Sequence, residues 1–368
     1  MSKNINRMSE DKKVRFFNSF LALPKGNSIY EICELISTNS LKGRTFLIVQ
    51  YTNPKSKKFR LQSFTTGEAV KIDGVINHSH EKIILKASTS KENYIKKLHE
   101  LKCEIQLGNI YEINFCMEFY AEKVKIDPMN IFYRLNELAK APYSYLVKLN
   151  DEYIICASPE LFLKKEGNIL SSKPIKGTAS RGKNVKEDEK LKEELFLSVK
   201  ERTENVMAVD VARNDLSIIA ERGSVEVNKL YNIESYETMH QMVSTVKCKM
   251  PACRQGRADG KWQMDDVIDA TFPMASMTGA PKKSAMNFID KYEDFERKYY
   301  SGAMGMIDEK GDFELCVIIR SIFYNEKTGR LSIAVGSAIT HLCDPEKEYE
   351  ECLLKANTML RALGAVIR

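Results

Sequence analysis

Apolar residues recur at spacings of four, three and four in SKENYIKKLHELKCEIQLG (90–108), at Tyr94, Leu98, Leu101 and Ile105. That period predicts an amphipathic helix ending at Gly108. Similar patterns predict helices at roughly 187–209, 280–292 and 345–363. The last has Asp344 as a candidate N-cap, Pro345 in its first turn, and an apolar stripe of Tyr349, Leu353, Ala356, Leu360 and Leu363. Runs rich in β-branched and aromatic residues predict strands at 44–51, 59–64, 111–123, 161–167, 301–308, 313–325 and 330–340. YSYLVKL (143–149) and YIICAS (153–158) predict a hairpin around Asn150-Asp151. Strands gather around long helices without regular alternation, which predicts an α+β fold with mostly antiparallel pairing. PIKGT (174–178), between two turn-forming clusters, and the turn-rich stretch 248–263 predict loops. No internal repeat is visible. The pattern divides the chain into a short N-terminal segment, 1–85, packing on a main domain, 86–368.

The chain has 368 residues, 43% of them hydrophobic, enough for a sizeable core. No apolar run reaches membrane-spanning length. The opening MSKNINRMSEDKKVRFF is charged and lacks the apolar stretch of a secretory signal, so a cytoplasmic protein is expected. Nine cysteines without CxxC spacing argue against disulfides and structural zinc. Asn77-His78-Ser79-His80 reads as a polar loop at the surface and not a metal site, because no carboxylate accompanies the histidines. The formal charge of +6 is mild for this surface. It suits a small anionic substrate as well as nucleic acid. With nothing else pointing to nucleic acid or a membrane, neither is expected as a partner.

Two helices carry the same device. Glu201 and Glu204 lie three apart, with Leu197 and Ala208 on their stripe and Leu191, Leu195, Val199 and Val206 opposite. Glu348 and Glu351 repeat the spacing, and Lys355 follows one turn later. Each pair is compatible with a solvated helix face. Two such pairs could also hold a hard cation with water left in its shell; no His or Cys joins them, which disfavours zinc. Spacing alone does not say whether the helices meet.

Seven stretches occur in order: SPELFL (158–163), PIKGT (174–178), ENVMAVDVARNDL (204–216), HQMVSTV (240–246), TGAPKKSAM (278–286), YSGAMGMID (300–308) and EYEECLLKA (348–356). Together they resemble the chorismate-utilising enzymes over about 90–360. The resemblance implies antiparallel sheets layered against helices. It also implies a Mg2+ ion held directly by Glu204 and Glu351, with Glu201 and Glu348 beside it. Arg320 and Lys355 would bind the carboxylates of chorismate, and Tyr300 and Ser276 would line the ring pocket. Backbone amides near Gly336 and Ala338, and near Gly177-Thr178 and Gly279, would take a carboxylate; Thr278 and Lys282 would open a helix whose N-terminus helps hold an anion. Asn205, Asp210, Arg213, Asn214 and Asp215 would orient the first acidic helix. Glu160 would protonate the departing C4 hydroxyl.

The family's branches differ in the nucleophile. Anthranilate synthases resemble PIKGT but carry a small residue at the place of Lys176. Aminodeoxychorismate synthases carry the lysine, which adds at C2 as the C4 hydroxyl leaves; ammonia then adds at C4 and expels it. Such a lysine must be neutral, so a lowered pKa is expected for Lys176. Isochorismate and salicylate synthases carry a water-activating lysine at the place of Glu112. Gln241 stands where many relatives have a histidine, with His240 one residue early and, on a strand, facing the other way. The expectation is an aminodeoxychorismate synthase component I that uses chorismate and ammonia and draws the ammonia from a separate glutamine amidotransferase (component II). Anthranilate synthase component I and a non-catalytic chorismate-binding subunit are the alternatives.

Overall fold

A computed structural model describes residues 18–19, 45–51, 60–65, 82–236, 239–251, 262 and 264–368. Asn77–His80 lie outside the described residues. In chain order the elements are β1 (Asn18–Ser19), β2 (Thr45–Gln50), β3 (Arg60–Thr65), β4 (Ile83–Ala87), α1 (Lys91–Gln106), β5 (Glu112–Ala121), α2 (Pro128–Ala139), β6 (Tyr143–Leu149) and β7 (Glu152–Ser158). Then come β8 (Leu161–Glu166), β9 (Ile169–Ser172), β10 (Ile175–Ser180), α3 (Val185–Leu197), α4 (Val199–Ser217), β11 (Glu226–Ser235), β12 (Met239–Lys249) and α5 (Met264–Thr271). A 3-10 turn (Ala275–Met277) leads to β13 (Gly279–Ala280), α6 (Lys282–Tyr292), β14 (Ala303–Ile307), β15 (Phe313–Val317), β16 (Ser321–Asn325), β17 (Arg330–Ile339), α7 (Pro345–Leu363) and β18 (Ala365–Ile367).

The strands form two sheets. The first runs β1-β6-β7-β16-β17-β5-β4-β18, with β13 also on β5; the second runs β10-β12-β9-β8-β15-β14-β2-β3, with β11 also on β12. Only the β1·β6 and β4·β18 pairs among these are parallel. Phe46, Ile48, Met304, Met306 and Cys316 of the second sheet pack on Tyr145, Val147, Leu149, Ile154 and Cys156 of the first. Helices α1, α2, α6 and α7 bury their apolar faces on the first sheet, α4 and α5 on the second. The expected α+β architecture of antiparallel sheets against helices is therefore present, arranged as helices, sheet, sheet, helices. The sheets stay paired because their inner faces are apolar; the outer faces are apolar where helices cover them.

The chain passes between the sheets at two neighbouring places. Ser158–Leu161 carries it from β7 in the first sheet to β8 in the second, and Val317–Ser321 carries it back from β15 to β16. The crossings are laced together: Val317 N–H donates to Glu160 O at 3.0 Å, and Ala157 N–H to Arg320 O at 3.3 Å. The run 313–325 is thus two strands in different sheets, not one. Arg320 marks the break with φ of 52°, a left-handed conformation no strand interior adopts.

Three further expectations need correction. The helix expected at 187–209 is two helices, because Ser198 is extended (φ −61°, ψ 114°) and caps α4 by accepting from Glu201 N–H. The faces of α4 are also reversed: Glu204 and Ala208 are buried, whereas Val199 is 73% and Val206 41% exposed. PIKGT is not a loop, since Ile175–Ser180 is the edge strand β10 paired with β12. At 248–263, Cys248 and Lys249 finish β12 rather than begin a loop, and residues 252–261 lie outside the described residues. Helix α2 escaped the apolar pattern, although Asp127 and Pro128 form a regular N-terminus for it, the Asp127 carboxylate accepting from Met129 and Asn130 N–H.

Candidate active site

The inter-sheet crossings open onto a cluster of buried charges. Lys176 projects from β10, at the edge of the second sheet, to Glu112 at the start of β5 in the first. Its Nζ donates to Glu112 Oε1 at 2.5 Å, with the two side chains 8% and 4% exposed. Burial opposes the ammonium, but the carboxylates of Glu112, Glu204 and Glu160 outweigh it and hold Lys176 above the ordinary lysine range. This is opposite to the lowered pKa expected of a nucleophile. A proton acceptor must be part of any chemistry Lys176 performs, and Glu112 is already in contact with it.

Glu160 sits on the first crossing, fixed by backbone bonds on both sides. Burial pushes its carboxyl up to about 7, even though the Ser276 hydroxyl, the Lys176 ammonium and the Ile175 N–H favour the ionised form. At neutral pH a large share of Glu160 therefore carries a transferable proton. The cavity beside Glu160 and Ser276 holds about 20 Å³, room for one water.

The two acidic helices do meet. Lys200, one residue before Glu201 on α4, donates to Glu348 Oε1 of α7 at 2.9 Å, with Glu204 Oε1 at 3.8 Å and Glu351 Oε2 at 3.9 Å. Glu204 Oε1 and Glu348 Oε2 are buried without hydrogen-bond partners. Burial raises Glu201 and pushes Glu204 up to about 8. Glu351 ends below its ordinary value, because Lys355 at 2.7 Å overcomes the effect of burial. Among the described residues no three His, Cys, Asp or Glu side chains are gathered closely enough to chelate an ion. The donor set nonetheless suits Mg2+: all oxygen, two of its oxygens orphaned, and already drawn around one cation, the Lys200 ammonium.

Arg320 and Lys355 form the other wall. Arg320 Nη1 donates to Lys355 O at 2.9 Å, and Lys355 Nζ donates to Gly336 O at 2.8 Å. The Gly336 carbonyl, on β17 opposite Cys116, thus faces the site. A Cβ at Gly336 would stand 2.4 Å from Cys116 Sγ, so only glycine fits. Ala338 follows on the same strand, opposite Asn114. Tyr300, fully enclosed, lies near Arg320 and the Cys116 thiol. Gly279 pairs with Ile113, and a Cβ there would meet Glu112 O at 2.1 Å. Gly177 (φ 89°) brings the β10 backbone against Glu201 Oε2. Its neighbour Thr178 pairs with Gln241, whose buried Oε1 has no partner.

Other expected residues are placed elsewhere. His240 does turn away from Gln241, and its ring lies between Ser235 at 2.8 Å and Asp188 at 3.1 Å. Lys282 does not lie free at a helix N-terminus; its Nζ is 2.5 Å from Asp215 Oδ2 and 3.2 Å from Thr271 O. Thr278 does not open that helix, which begins at Lys282; its hydroxyl donates to Met274 O at 3.0 Å. Asn205 anchors α4 to β12 through Ser244 and Met242, as expected of an orienting residue, whereas Asp210 pairs with Arg213 at the surface. Sequence reasoning missed Lys200, though it stands four residues before Glu204 on the same helix face. It also missed Arg297, which is buried and bonded to Glu293, Met277 O, Asn114 O and Ser301 Oγ beneath the site.

A family model described as chorismate binding enzyme matches residues 41–361. The chain belongs to the chorismate-binding enzymes. Within that family it is similar to the probable chloroplastic aminodeoxychorismate synthase of Oryza sativa subsp. japonica: 38% identity over 73% of this chain and 29% of the relative. It is 34% identical to aminodeoxychorismate synthase component 1 of Bacillus subtilis (75% and 57%) and 35% identical to anthranilate synthase component 1 of Saccharolobus solfataricus (75% and 63%). The chain thus spans less than two thirds of the length of each of these relatives. Among solved structures, anthranilate synthase component I of Streptococcus pneumoniae superposes with a TM-score of 0.65 at 27% identity, covering 76% of this chain and 60% of that one. The menaquinone-specific isochorismate synthase of Escherichia coli gives 0.72 at 15% identity, covering 93% and 84%, a likeness of fold alone. Relatives named as aminodeoxychorismate synthases and as anthranilate synthases thus match at similar identity, and residues of the site must discriminate between them. No helix of the described residues is long and apolar enough to cross a membrane.

Proposed function

We propose that this chorismate-binding enzyme is an aminodeoxychorismate synthase component I, exchanging the C4 hydroxyl of chorismate for an amino group. The observation that carries the reading is Lys176, an amine buried in the site between Glu112 and the raised carboxyl of Glu160. A small side chain at 176 would leave ammonia to attack C2 directly; a lysine supplies its own nucleophile there. Lys176 first passes a proton to Glu112, the acceptor in contact. The neutral amine then bonds to C2, the two conjugated ring double bonds shift together (C1=C2 to C1=C6, C5=C6 to C4=C5), and the C4–O bond breaks. Glu160 gives its proton to the departing hydroxyl, which leaves as water. Ammonia bonds to C4, both double bonds shift back, and the C2–N bond to Lys176 breaks; the ammonia's surplus proton passes to the released amine, and the proton taken by Glu112 restores Glu160. Two allylic displacements retain the configuration at C4.

Arg320 and Lys355 are suited to the substrate carboxylates, joined by the small-residue backbone at Gly336 and Ala338 and the walls formed by Tyr300, Ser276, Gly279 and Gln241. Glu201, Glu204, Glu348 and Glu351 would hold Mg2+, whose chemistry there is to neutralise a substrate carboxylate and orient it. We further propose that ammonia comes from a glutamine amidotransferase subunit and that the enzyme acts in the cytoplasm.

The 35% identity to an anthranilate synthase component 1 favours a second reading, amination at C2 followed by loss of pyruvate. One assay separates the two. The protein is incubated with chorismate, Mg2+ and an ammonium salt, and products are identified by mass spectrometry and fluorescence. Aminodeoxychorismate without pyruvate, abolished by Lys176→Ala, is the expected result. Anthranilate with pyruvate, or no turnover, overturns the proposal.

A further inference from the structure

Lys200 is the cation that the four-glutamate cluster already holds. Its Nζ contacts Glu348 and lies within 4 Å of Glu204 and Glu351, so one ammonium spans carboxylates from α4 and α7. Of the other nearby lysines, Lys176 is bonded to Glu112, and Lys355 reaches only one member of the cluster, Glu351 through its Oε1, while also donating to the Gly336 carbonyl. An ammonium has three protons and no preferred coordination sphere. It leaves Glu204 Oε1 and Glu348 Oε2 without partners, although Glu204 is 5% and Glu348 1% exposed. A hard divalent cation would satisfy more of these oxygens at shorter range. The two cations cannot share the position, because each needs the same carboxylate oxygens. Lys200 also has a way out, since its side chain is 42% exposed and its four-carbon stem is flexible.

We propose that the Lys200 ammonium is the resident counter-ion of this cluster, and that a divalent cation enters only by displacing it into solvent. Lys200 then sets how tightly the cluster takes a divalent cation. It lowers the apparent affinity for every divalent ion, since each must replace a tethered competitor. It also keeps the two helices together while no ion is bound, so the site does not fly apart by mutual repulsion of its carboxylates. The inference rests on the assignment of the cluster as a metal site in the proposed function, and it does not depend on which product the enzyme makes.

The test uses Mn2+ as the probe, with free ion counted by electron paramagnetic resonance, on the whole protein and its Lys200→Met and Lys200→Arg variants. Lys200→Met is expected to bind Mn2+ at least tenfold more tightly than the native protein, and Lys200→Arg no more tightly than it. Without metal, Lys200→Met should melt at a lower temperature and gain more from Mn2+. A second measurement needs no variant: acetylation of Lys200, followed by mass spectrometry, should speed up several-fold when Mn2+ saturates the native protein. Equal or weaker Mn2+ binding by Lys200→Met overturns the proposal, as does labelling of Lys200 that stays constant or slows on saturation. If Lys200→Met does not fold, the labelling result decides. Absence of Mn2+ binding in every form would overturn the metal site itself. Unchanged affinity in Lys200→Met beside Mg2+-dependent turnover by the native protein would overturn this inference alone.

Discussion

Substituting methionine for Lys176 should do two separable things. The first is chemical: with no amine at 176, aminodeoxychorismate formation should fall by more than about a thousandfold, the loss expected when a covalent nucleophile is removed. The second is structural. Lys176 and Glu112 are 8% and 4% exposed and 2.5 Å apart, and Glu204 and Glu160 also face the ammonium. Removing one partner of such a pair leaves an uncompensated buried charge, at a cost of about 3–5 kcal/mol. In the double variant Lys176→Met/Glu112→Gln the carboxylate in direct contact is no longer stranded, and most of that loss should return. The cycle is measured by urea unfolding at pH 7, comparing midpoints at matched slopes, beside the product assay on the same samples. Expected is a single variant markedly destabilised, a double variant close to the native protein in stability, and both without product. A Lys176→Met protein as stable as the native one would show that the pair is not desolvated as described. Product from either variant would remove Lys176 from the chemistry.

Four further outcomes follow from the same geometry. Glu160 must be protonated to act, and burial raises its carboxyl to about 7, so kcat/KM should decline as pH rises through about 7; a flat profile from pH 6 to 9 would exclude it as the acid. Because its folded-state pKa is raised, Glu160 contributes stability that is present in acid and lost as pH rises through about 7, so Glu160→Gln should lose activity about 10²–10⁴-fold yet be more stable than the native protein at pH 8. Gly336→Ala puts a Cβ 2.4 Å from Cys116 Sγ and 2.9 Å from Phe115 O, which should cost about 1–3 kcal/mol in unfolding and raise KM for chorismate by displacing the carbonyl that receives Lys355. Arg297→Met strands Glu293 in the core, with both side chains under 3% exposed, and should lower stability by about 3–5 kcal/mol in the same urea assay.

Legibility in the sequence tracks how many demands each segment meets. Helix α7 was readable from cap to cap because Asp344, Pro345 and one apolar stripe all agree, and the structure closes it with Gly364 in the left-handed conformation. Helix α4 misled because its chemistry opposes its packing. The carboxylates are needed inside and the valines are left outside, so hydrophobic periodicity points the wrong way. The run 313–325 gave little warning of its break, since β15 and β16 are both largely buried and only Arg320 and Ser321 interrupt the apolar run at the crossing. The direction of the Lys176 shift was misjudged because its closest carboxylate, Glu112, comes from the other sheet, 64 residues away in the chain. The catalytic candidates themselves were found by motif, and their mutual contacts came only with the tertiary structure.

The paired crossings also limit how the gene can vary in length. Residues can be added or lost at hairpin tips such as Asp308–Asp312 without shifting either sheet, because a tip absorbs the change locally. The segment Ile318–Arg320 has no such slack. Dropping one codon there would force β15 or β16 to slip by a residue, exchanging the side chains of its two packed faces, or would pull Arg320 away from the Lys355 carbonyl. The first crossing, carrying Glu160, is bonded to it and under the same restraint. Viable insertions and deletions in this chain should therefore cluster away from both crossings, leaving a fixed spacing from Ser158 to Leu161 and from Val317 to Ser321 while loops elsewhere lengthen and shorten.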